Sequence, residues 1–254
     1  MSFLKNEIMK NKTLGIICIL LISVSACKKD SDPENNEPQS VVGVWAIKNG
    51  VEFSYLTLLS NNTFMYAEND ADIESEAENG LELGTYSYNS DKEQITFNIV
   101  YDDNDPGNES GIGDAGTPAI FEASVLESGA KLSLLNGELI FNKKEFTDSS
   151  PITGVWGVEN GTEFSYLTLL SDNTFLYGEN DLDTTSDLEN GIEVGTYVYN
   201  STNGTITFTI VYDDNDSGND SGIGDIGTDS TIDVVLSNGN NTLTISGLVL
   251  TKAL

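Results

Sequence analysis

The sequence predicts an all-β protein made of two tandem, small antiparallel β-barrels of about eight strands each. Three observations lead to this prediction. Apolar and polar residues alternate with a period of two rather than 3.6, as in residues 95–101 and again in residues 206–212. Short runs rich in Asn, Asp and Gly separate these segments, and such runs favour tight turns. After the N-terminal region, no segment has the periodicity of a long amphipathic helix.

Eight short strands are expected in the first half of the chain. They are predicted at residues 41–48, 53–60, 63–68, 82–89, 95–101, 119–126, 131–135 and 138–143. Eight antiparallel strands of this length fit either a small closed barrel or a two-sheet sandwich. The barrel is favoured because closure removes the exposed sheet edges that promote aggregation.

An internal duplication defines the domain organisation. Residues 43–114 align with residues 154–225 without gaps, and 50 of the 72 aligned positions are identical. A unit of about 105 residues is large enough to bury its own core. A single fused, pseudo-symmetric barrel is the alternative arrangement. The predicted units are a first barrel repeat, a linker and a second barrel repeat, at residues 41–146, 147–152 and 153–254.

The first 40 residues have the pattern of an export and anchoring signal. Three lysines precede an apolar run, residues 13–24, that is too short to cross a bilayer as a helix. The run ends in Val-Ser-Ala-Cys27, which resembles the lipobox of bacterial lipoproteins of the Bacteroidetes type. The resemblance implies cleavage after residue 26, a lipid on Cys27 and a flexible tether over residues 27–40. It also implies a place in the cell envelope, anchored to the outer membrane, with exposure at the cell surface left open.

Each predicted barrel opens with Gly-x-Trp, at Gly43 and Trp45 and again at Gly154 and Trp156. Together with the later patterns Leu-Thr-Leu-Leu-Ser-x-Asn-Thr-Phe and Glu-x-Gly-Thr-Tyr-x-Tyr-Asn, this opening resembles lipocalin-like repeats of bacterial envelope proteins. The resemblance implies a structural role for these four residues. The chain has no arginine, so it lacks the one that packs over this tryptophan in lipocalins. The short repeat favours a barrel filled by its own side chains.

Composition excludes several functional classes. The chain has 41 Asp and Glu against 11 Lys and Arg, a formal net charge of −30, and no histidine. Without histidine there is no imidazole base for a serine or cysteine nucleophile and no imidazole zinc ligand. A paired-carboxylate glycosidase is the remaining enzyme class, but close carboxylate pairs arise by chance in so acidic a chain. We expect a protein without enzymatic activity, without catalytic residues and without a nucleic-acid partner.

An acidic, glycine-containing segment follows the fifth predicted strand of each repeat. Calcium prefers carboxylate and carbonyl oxygens on such segments, and here acidic residues recur at alternate positions. The first and last are eleven residues apart, as in an EF-hand loop, although no helices flank them. A solvated loop whose Asp, Asn and Gly residues form turns is the alternative. The candidate calcium ligands are Asp103, Asp105, Glu109, Asp114, Asp214, Asp216, Asp220 and Asp225.

These features predict a lipid-anchored binding or adhesion module that displays acidic loops away from the membrane. Two linked copies of a weak site would gain avidity. The alternative is a lipocalin-like carrier or sensor of a small apolar ligand inside the barrels. Calcium is the only cofactor that the residues suggest. A protein, a glycan or a small molecule remain the candidate partners besides the membrane, and the oligomeric state stays open.

Overall fold

The computed structural model describes residues 40–49, 52–69, 80–102, 111–146, 150–160, 163–180, 191–213 and 222–254. The predicted signal peptide, Cys27 and the tether before residue 40 therefore lie outside the described residues. Over the ranges given, no helix is both long enough and apolar enough to cross a membrane.

Sixteen strands in the described residues form two closed antiparallel barrels, one after the other along the chain. The predicted all-β class and tandem barrels are therefore confirmed, and the sandwich and fused-barrel alternatives are wrong. The first barrel consists of β1 (Gly43–Asn49), β2 (Glu52–Leu58), β3 (Thr63–Asn69), β4 (Gly80–Asn89), β5 (Gln94–Asp102), β6 (Pro118–Leu126), β7 (Lys131–Leu134) and β8 (Leu139–Lys144). The second consists of β9 (Gly154–Asn160), β10 (Glu163–Leu169), β11 (Thr174–Asn180), β12 (Gly191–Asn200), β13 (Thr205–Asp213), β14 (Asp229–Ser237), β15 (Thr242–Ile245) and β16 (Leu248–Lys252). Short 3-10 turns occur at Glu127–Gly129 and Leu135–Gly137.

Each barrel is an up-and-down meander in which every strand pairs with the next one and the last strand pairs with the first. Strands β1, β3 and β5 therefore run in the same direction, as do β9, β11 and β13. The long acidic connections follow β3, β5, β11 and β13, so they all leave the end of a barrel opposite to the start of its first strand. We call this the loop end, and the end where β1 begins the tether end.

Aromatic and aliphatic side chains fill the interior of each barrel. In the first barrel, Phe64 and Phe97 meet edge to face with ring centroids 4.8 Å apart, and Phe175 and Phe208 repeat this contact at 4.8 Å in the second. The interior cluster of each barrel also contains one fully buried tryptophan. Such filling is expected for eight-stranded barrels of short strands.

The Gly-x-Trp opening has a visible structural reason. Trp45 is buried, and its indole N–H donates to the carbonyl of Val41 over 2.7 Å. The ammonium of Lys143 lies 5.4 Å from the centroid of the Trp45 ring, in the manner of a cation–π contact. Gly43 has a φ of 152°, and a Cβ there would lie 3.0 Å from Cε of Lys143. The glycine therefore leaves room for the lysine that covers the tryptophan.

The second barrel repeats this arrangement. Trp156 donates to the carbonyl of Ile152 over 2.7 Å, and Lys252 lies 5.4 Å from its ring. Ile152 is itself buried inside the second barrel, although it belongs to the predicted linker. Lysine thus lies over each tryptophan in a chain that has no arginine.

The two barrels pack against each other along an apolar face that we call the seam. It is formed by outward-facing side chains of the first four strands of each barrel. Its buried members are Val44, Ala46, Phe53, Tyr55, Leu59, Met65, Ala67 and Leu81 from the first barrel, and Val155, Phe164, Tyr166, Leu170, Leu176, Ile192 and Val194 from the second. These strands are therefore buried on both faces, one toward the barrel interior and the other toward the neighbouring barrel.

The seam has approximate two-fold symmetry. The ring of Phe53 lies 5.8 Å from that of Tyr212, and the ring of Tyr101 lies 6.0 Å from that of Phe164, its symmetry-equivalent contact. All four residues lie at or near the loop end of their strands. The loop ends of the two barrels consequently meet on one side of the molecule.

Candidate functional site

Most of the predicted calcium ligands fall in the segments between the described ranges. Asp103, Asp105 and Glu109, and their counterparts Asp214, Asp216 and Asp220, lie outside the described residues. Asp114 and Asp225 are described, and both are exposed. Their carbonyls accept the N–H groups of Thr117 and Thr228 over 3.2 and 3.1 Å, which closes a turn. Within the described parts of the chain, no three acidic side chains are grouped so that they could hold a metal ion.

The return end of each acidic segment lies across the mouth of its barrel. We call residues 111–117 and 222–228 the mouth caps. In the first cap, the side chain of Ile112 packs onto the interior cluster, and the N–H of Gly116 donates to the carbonyl of Ile99 over 3.0 Å. In the second cap, Ile223 packs in the same way, and Gly227 donates to Ile210 over 3.2 Å. Each cap thus closes the loop end with one isoleucine.

A buried glutamate inside each barrel holds the cap from below. Glu82 on β4 is fully buried, and its Oε1 accepts the N–H of Ile112 over 2.6 Å. Glu193 on β12 is equally buried, and its Oε1 accepts the N–H of Ile223 over 2.7 Å and that of Gly224 over 3.5 Å. In both glutamates Oε2 is buried without a hydrogen-bond partner. Charged side chains are almost never buried in this way without a partner.

Further acidic groups surround Glu82. Asp102 on β5 is its direct cross-strand neighbour, and Tyr66 is its neighbour on β3. The hydroxyl of Tyr66 donates to Oε2 of Glu68. Burial raises the pKa of Glu82 to about 9; the Ile112 N–H acts in the opposite direction, and the charges of Asp102 and Glu68 add to the rise. Glu82 therefore carries a proton at neutral pH.

The second barrel contains the same group of side chains. The hydroxyl of Tyr177 donates to Oε2 of Glu179 over 2.5 Å, and Asp213 is the cross-strand neighbour of Glu193. Burial raises the pKa of Glu193 to about 8, opposed by the N–H of Ile223 and reinforced by the charge of Asp213. Burial also raises the pKa of Tyr66 and Tyr177 well above the ordinary tyrosine value. Each barrel mouth thus contains a buried carboxyl whose pKa is raised, with further acidic side chains beside it.

Sequence reasoning did not single out Glu82 or Glu193. In Leu81-Glu82-Leu83, alternation predicts leucines inside and glutamate outside. The structure has the opposite arrangement, because Leu81 is buried in the seam and Leu83 packs against it. The available signal was that one acidic residue lies between apolar neighbours at the same place in both repeats.

Charge is distributed unevenly between the two ends of the molecule. The described lysines other than Lys48 lie at the tether end, in the turn before β5, at the start of β7, and at the ends of β8 and β16. The loop end holds the acidic groups of the barrel mouths. The tether end also holds acidic residues, among them Asp91, Glu93 and Glu127, so its charge is mixed, whereas the loop end is strongly acidic.

A shallow depression of about 280 Å³ lies at the tether end of the second barrel. Its lining is uncharged and partly apolar, consisting of Ser150, Thr153, Ser171, Asn173, Tyr197, Val198 and Tyr199. The hydroxyl of Tyr197 donates to the carbonyl of Leu170 over 2.8 Å, so it serves the fold. This depression offers a ligand no ionised group.

Comparison with known proteins gave no match, either to a protein-family model or to a curated protein. By its fold, the molecule is a tandem pair of closed antiparallel β-barrels that are joined along an apolar seam.

Proposed function

We propose that this protein is a rigid, non-enzymatic binding or adhesion module, held to a membrane by a lipid on Cys27, that presents two acidic barrel ends away from that membrane. The observation that carries the proposal is the polarity of the molecule. Both loop ends meet on one side, through the contacts of Phe53 with Tyr212 and of Tyr101 with Phe164. The segment that leads back to Cys27 joins β1 at the opposite end.

The distribution of charge supports the same orientation. The strongly acidic loop end would be repelled by the anionic headgroups of a bilayer and would point toward solvent. The tether end, where lysines and carboxylates are mixed, would be repelled less. The filled barrel interiors give no comparable support to a carrier of apolar ligands.

The orientation can be measured in vesicles that contain anionic lipid and a headgroup-labelled energy acceptor. A single cysteine carrying a donor dye is introduced at an exposed position of either end, as Glu138→Cys at the loop end or Asp91→Cys at the tether end. In the lipidated protein the Cys27 thiol is occupied, so the dye labels only the new cysteine. We expect markedly stronger transfer from position 91 than from position 138. Equal transfer from both, or stronger transfer from position 138, would reject the proposed orientation.

In this proposal the acidic segments that follow β5 and β13 take up calcium and stiffen the presented surface. A ligand present at 100 times its dissociation constant stabilises a folded protein by about 2.7 kcal/mol. This should raise the Tm by several degrees for a protein of this size.

The measurement is the Tm of the protein in millimolar calcium, in magnesium and in EDTA. We expect a rise with calcium alone that Asp103→Ala combined with Asp214→Ala removes. The matched control is Glu122→Ala combined with Asp233→Ala, because these exposed residues occupy equivalent places on the outer faces of β6 and β14. An unchanged Tm in calcium, or an equal response of both double variants, would leave the segments as solvated turns.

A further inference from the structure

At least three described contacts attach each mouth cap to its barrel. One is the isoleucine side chain, a second is the hydrogen bond from Gly116 or Gly227 to the end of the fifth strand, and the third is the buried glutamate. The first two use a neutral side chain and the backbone. The glutamate is the only one of these three attachments whose charge can change, so a change in the state of its carboxyl alters how firmly each cap is held.

The geometry requires this carboxyl to be neutral when the cap is closed. Oε2 of Glu82 and Oε2 of Glu193 have no hydrogen-bond partner and are sealed from water. An ionised carboxylate would then lack both solvent and a donor on one oxygen, which is very costly in a protein interior. A protonated carboxyl leaves at most one hydroxyl without an acceptor, which costs far less.

The groups that face Glu82 do not favour its ionisation. From β3 come Glu68 and Tyr66, which are hydrogen-bonded to each other, and from β5 comes Asp102. Within the described parts of the chain, the donors to Glu82 are the N–H groups of Ile112 and Gly113 in the cap. No lysine of the described residues contributes to the surroundings of Glu82. The charge of an ionised Glu82 would therefore lie beside Asp102 and Glu68 with no cation among the described residues to balance it.

The group around Glu193 has the same composition. Glu179 and Tyr177 face it from β11, Asp213 faces it from β13, and the N–H groups of Ile223 and Gly224 face it from the cap. Two barrels of one chain therefore contain the same buried carboxyl in the same surroundings.

We propose that Glu82 and Glu193 are proton-dependent latches, which hold the mouth caps closed while they carry a proton and release them when they lose it. Ionisation draws water into the barrel mouth, so the Ile112 or Ile223 contact opens and the return end of the acidic segment separates from its barrel. This inference does not depend on calcium, on a membrane or on a binding partner.

The direction of the pH dependence follows from the raised pKa values. A group whose pKa is higher in the folded state contributes stability that is complete at low pH and is lost as the pH rises through its folded value. That value is about 8 for Glu193 and about 9 for Glu82. The loss should therefore be complete near pH 8 for the cap of the second barrel and about one unit higher for the cap of the first. The tyrosines of the mouth stay protonated over this range.

Hydrogen exchange read by mass spectrometry on peptides covering residues 111–117 and 222–228 tests the proposal. The full chain is examined in EDTA from pH 6 to pH 10, with each rate corrected for base-catalysed intrinsic exchange. We expect protection of both caps to fall about tenfold per pH unit as the pH rises toward the pKa of the closed state, and to level off near pH 8 for the second cap and about one unit later for the first. Constant protection of both caps over this range would overturn the proposal.

The decisive variant is Glu82→Gln combined with Glu193→Gln. Glutamine keeps the oxygen that accepts the cap N–H but cannot ionise, so we expect cap protection that no longer depends on pH. Glu122→Gln combined with Asp233→Asn is the matched control, because it removes two exposed carboxylates from the outer faces and should retain the wild-type profile. A wild-type profile in the latch variant would show that another group controls the caps.

A variant with only one substitution is the control for loss of folding. In Glu193→Gln the first cap should keep its transition while the second loses it, so each cap is a reference for the other. Loss of both transitions together, or of neither, would contradict two independent latches. The calcium and orientation experiments measure different quantities, so failure of the latch leaves the proposed display function standing.

Discussion

The two barrels are most alike in their first five strands and least alike in their last three. Strands β1–β5 and β9–β13 lie in the region where 50 of 72 aligned positions are identical, whereas β6 and β14 share no residue at equivalent positions. Even so, β6 and β14 hold the same place in their barrels, with Ala123 and Val234 buried at equivalent positions. To take its place in a closed barrel, a strand needs only alternating inward and outward residues, with inward side chains of suitable volume. The seam, the caps and the buried glutamates, which belong to the first part of each repeat, depend on particular side chains.

Small differences within the shared part fit the two barrels to each other. Position 46 is alanine in the first barrel, whereas its counterpart is Gly157. A Cβ at Gly157 would lie 2.3 Å from the ring of Tyr166, so glycine lets this ring lie close to β9. The Tyr166 hydroxyl donates to Glu159, which also accepts a hydrogen bond from Thr63 of the first barrel. The seam is therefore only approximately symmetric.

Of the changes that test how the two barrels depend on each other, truncating side chains in the seam should lower the stability most. Leu81 and its counterpart Ile192 are buried between the barrels. Each change to alanine should lower the free energy of unfolding by about 2–5 kcal/mol. We expect Leu81→Ala combined with Ile192→Ala to lower the Tm by roughly 10 °C or more. Differential scanning calorimetry measures this shift and shows whether the barrels then unfold separately.

Exposed valines on the fifth strands provide the control for the seam. Val100 and Val211 are equivalent residues that are 56% and 60% exposed. Val100→Ala combined with Val211→Ala should change the free energy of unfolding by only about 0.5 kcal/mol per site. If both pairs lowered the Tm equally, the barrels would not be stabilising each other.

The smallest effect on stability is expected from replacing Asp172 by asparagine, which makes one turn identical in the two barrels. Asp172 lies where the first barrel has Asn61, and it pairs with Lys144 across the seam over 3.0 Å. Burial acts to raise the pKa of Asp172, but the hydrogen bonds from Lys144 and Thr174 hold it below its usual value. Its stabilising contribution is therefore present at neutral pH and is lost as the pH falls through the folded pKa.

Asp172→Asn should consequently cost about 0.2–1 kcal/mol at pH 7 and progressively less in acid, as urea denaturation at several pH values can measure. A double-mutant cycle with Lys144→Gln separates the ion pair from the other contacts of Asp172. A cost that stays constant on acidification would show that the ion pair does not supply it.

The architecture could be predicted because the fifth strand of each repeat is regular. Its alternation of Ile95, Phe97 and Ile99 with polar residues identifies one buried face, and the turns between strands fix the strand count. Predicted and observed strand ends differ by only one or two residues. Closure of each sheet was then the arrangement that leaves no free edge.

The seam and the latch could not be predicted from the alternation of one strand. In β3, Phe64, Met65, Tyr66 and Ala67 are all buried, a run typical of a strand covered on both faces. Without the partner barrel, nothing in the pattern says which of these residues faces inward. The same ambiguity hid Glu82, because its leucine neighbours look like core residues until the second barrel is present to cover them.

The predicted calcium ligands differ from the seam and latch residues in a physical sense. Buried positions are identified by periodicity, because burial imposes a pattern on the sequence. The acidic segments have composition and spacing but no such pattern, so Asp103 and Asp214 remain predictions that the melting experiment has to test.

Because one chain supplies both halves of the seam, the association of the two barrels does not depend on the protein concentration. Two separate single-barrel chains would have to find each other, and their pairing would weaken as their concentration fell. Here the short connection between β8 and β9 keeps the partner at an effective concentration in the millimolar range or above. A sparse protein can therefore keep both acidic ends side by side in a fixed one-to-one ratio, however few copies the cell makes.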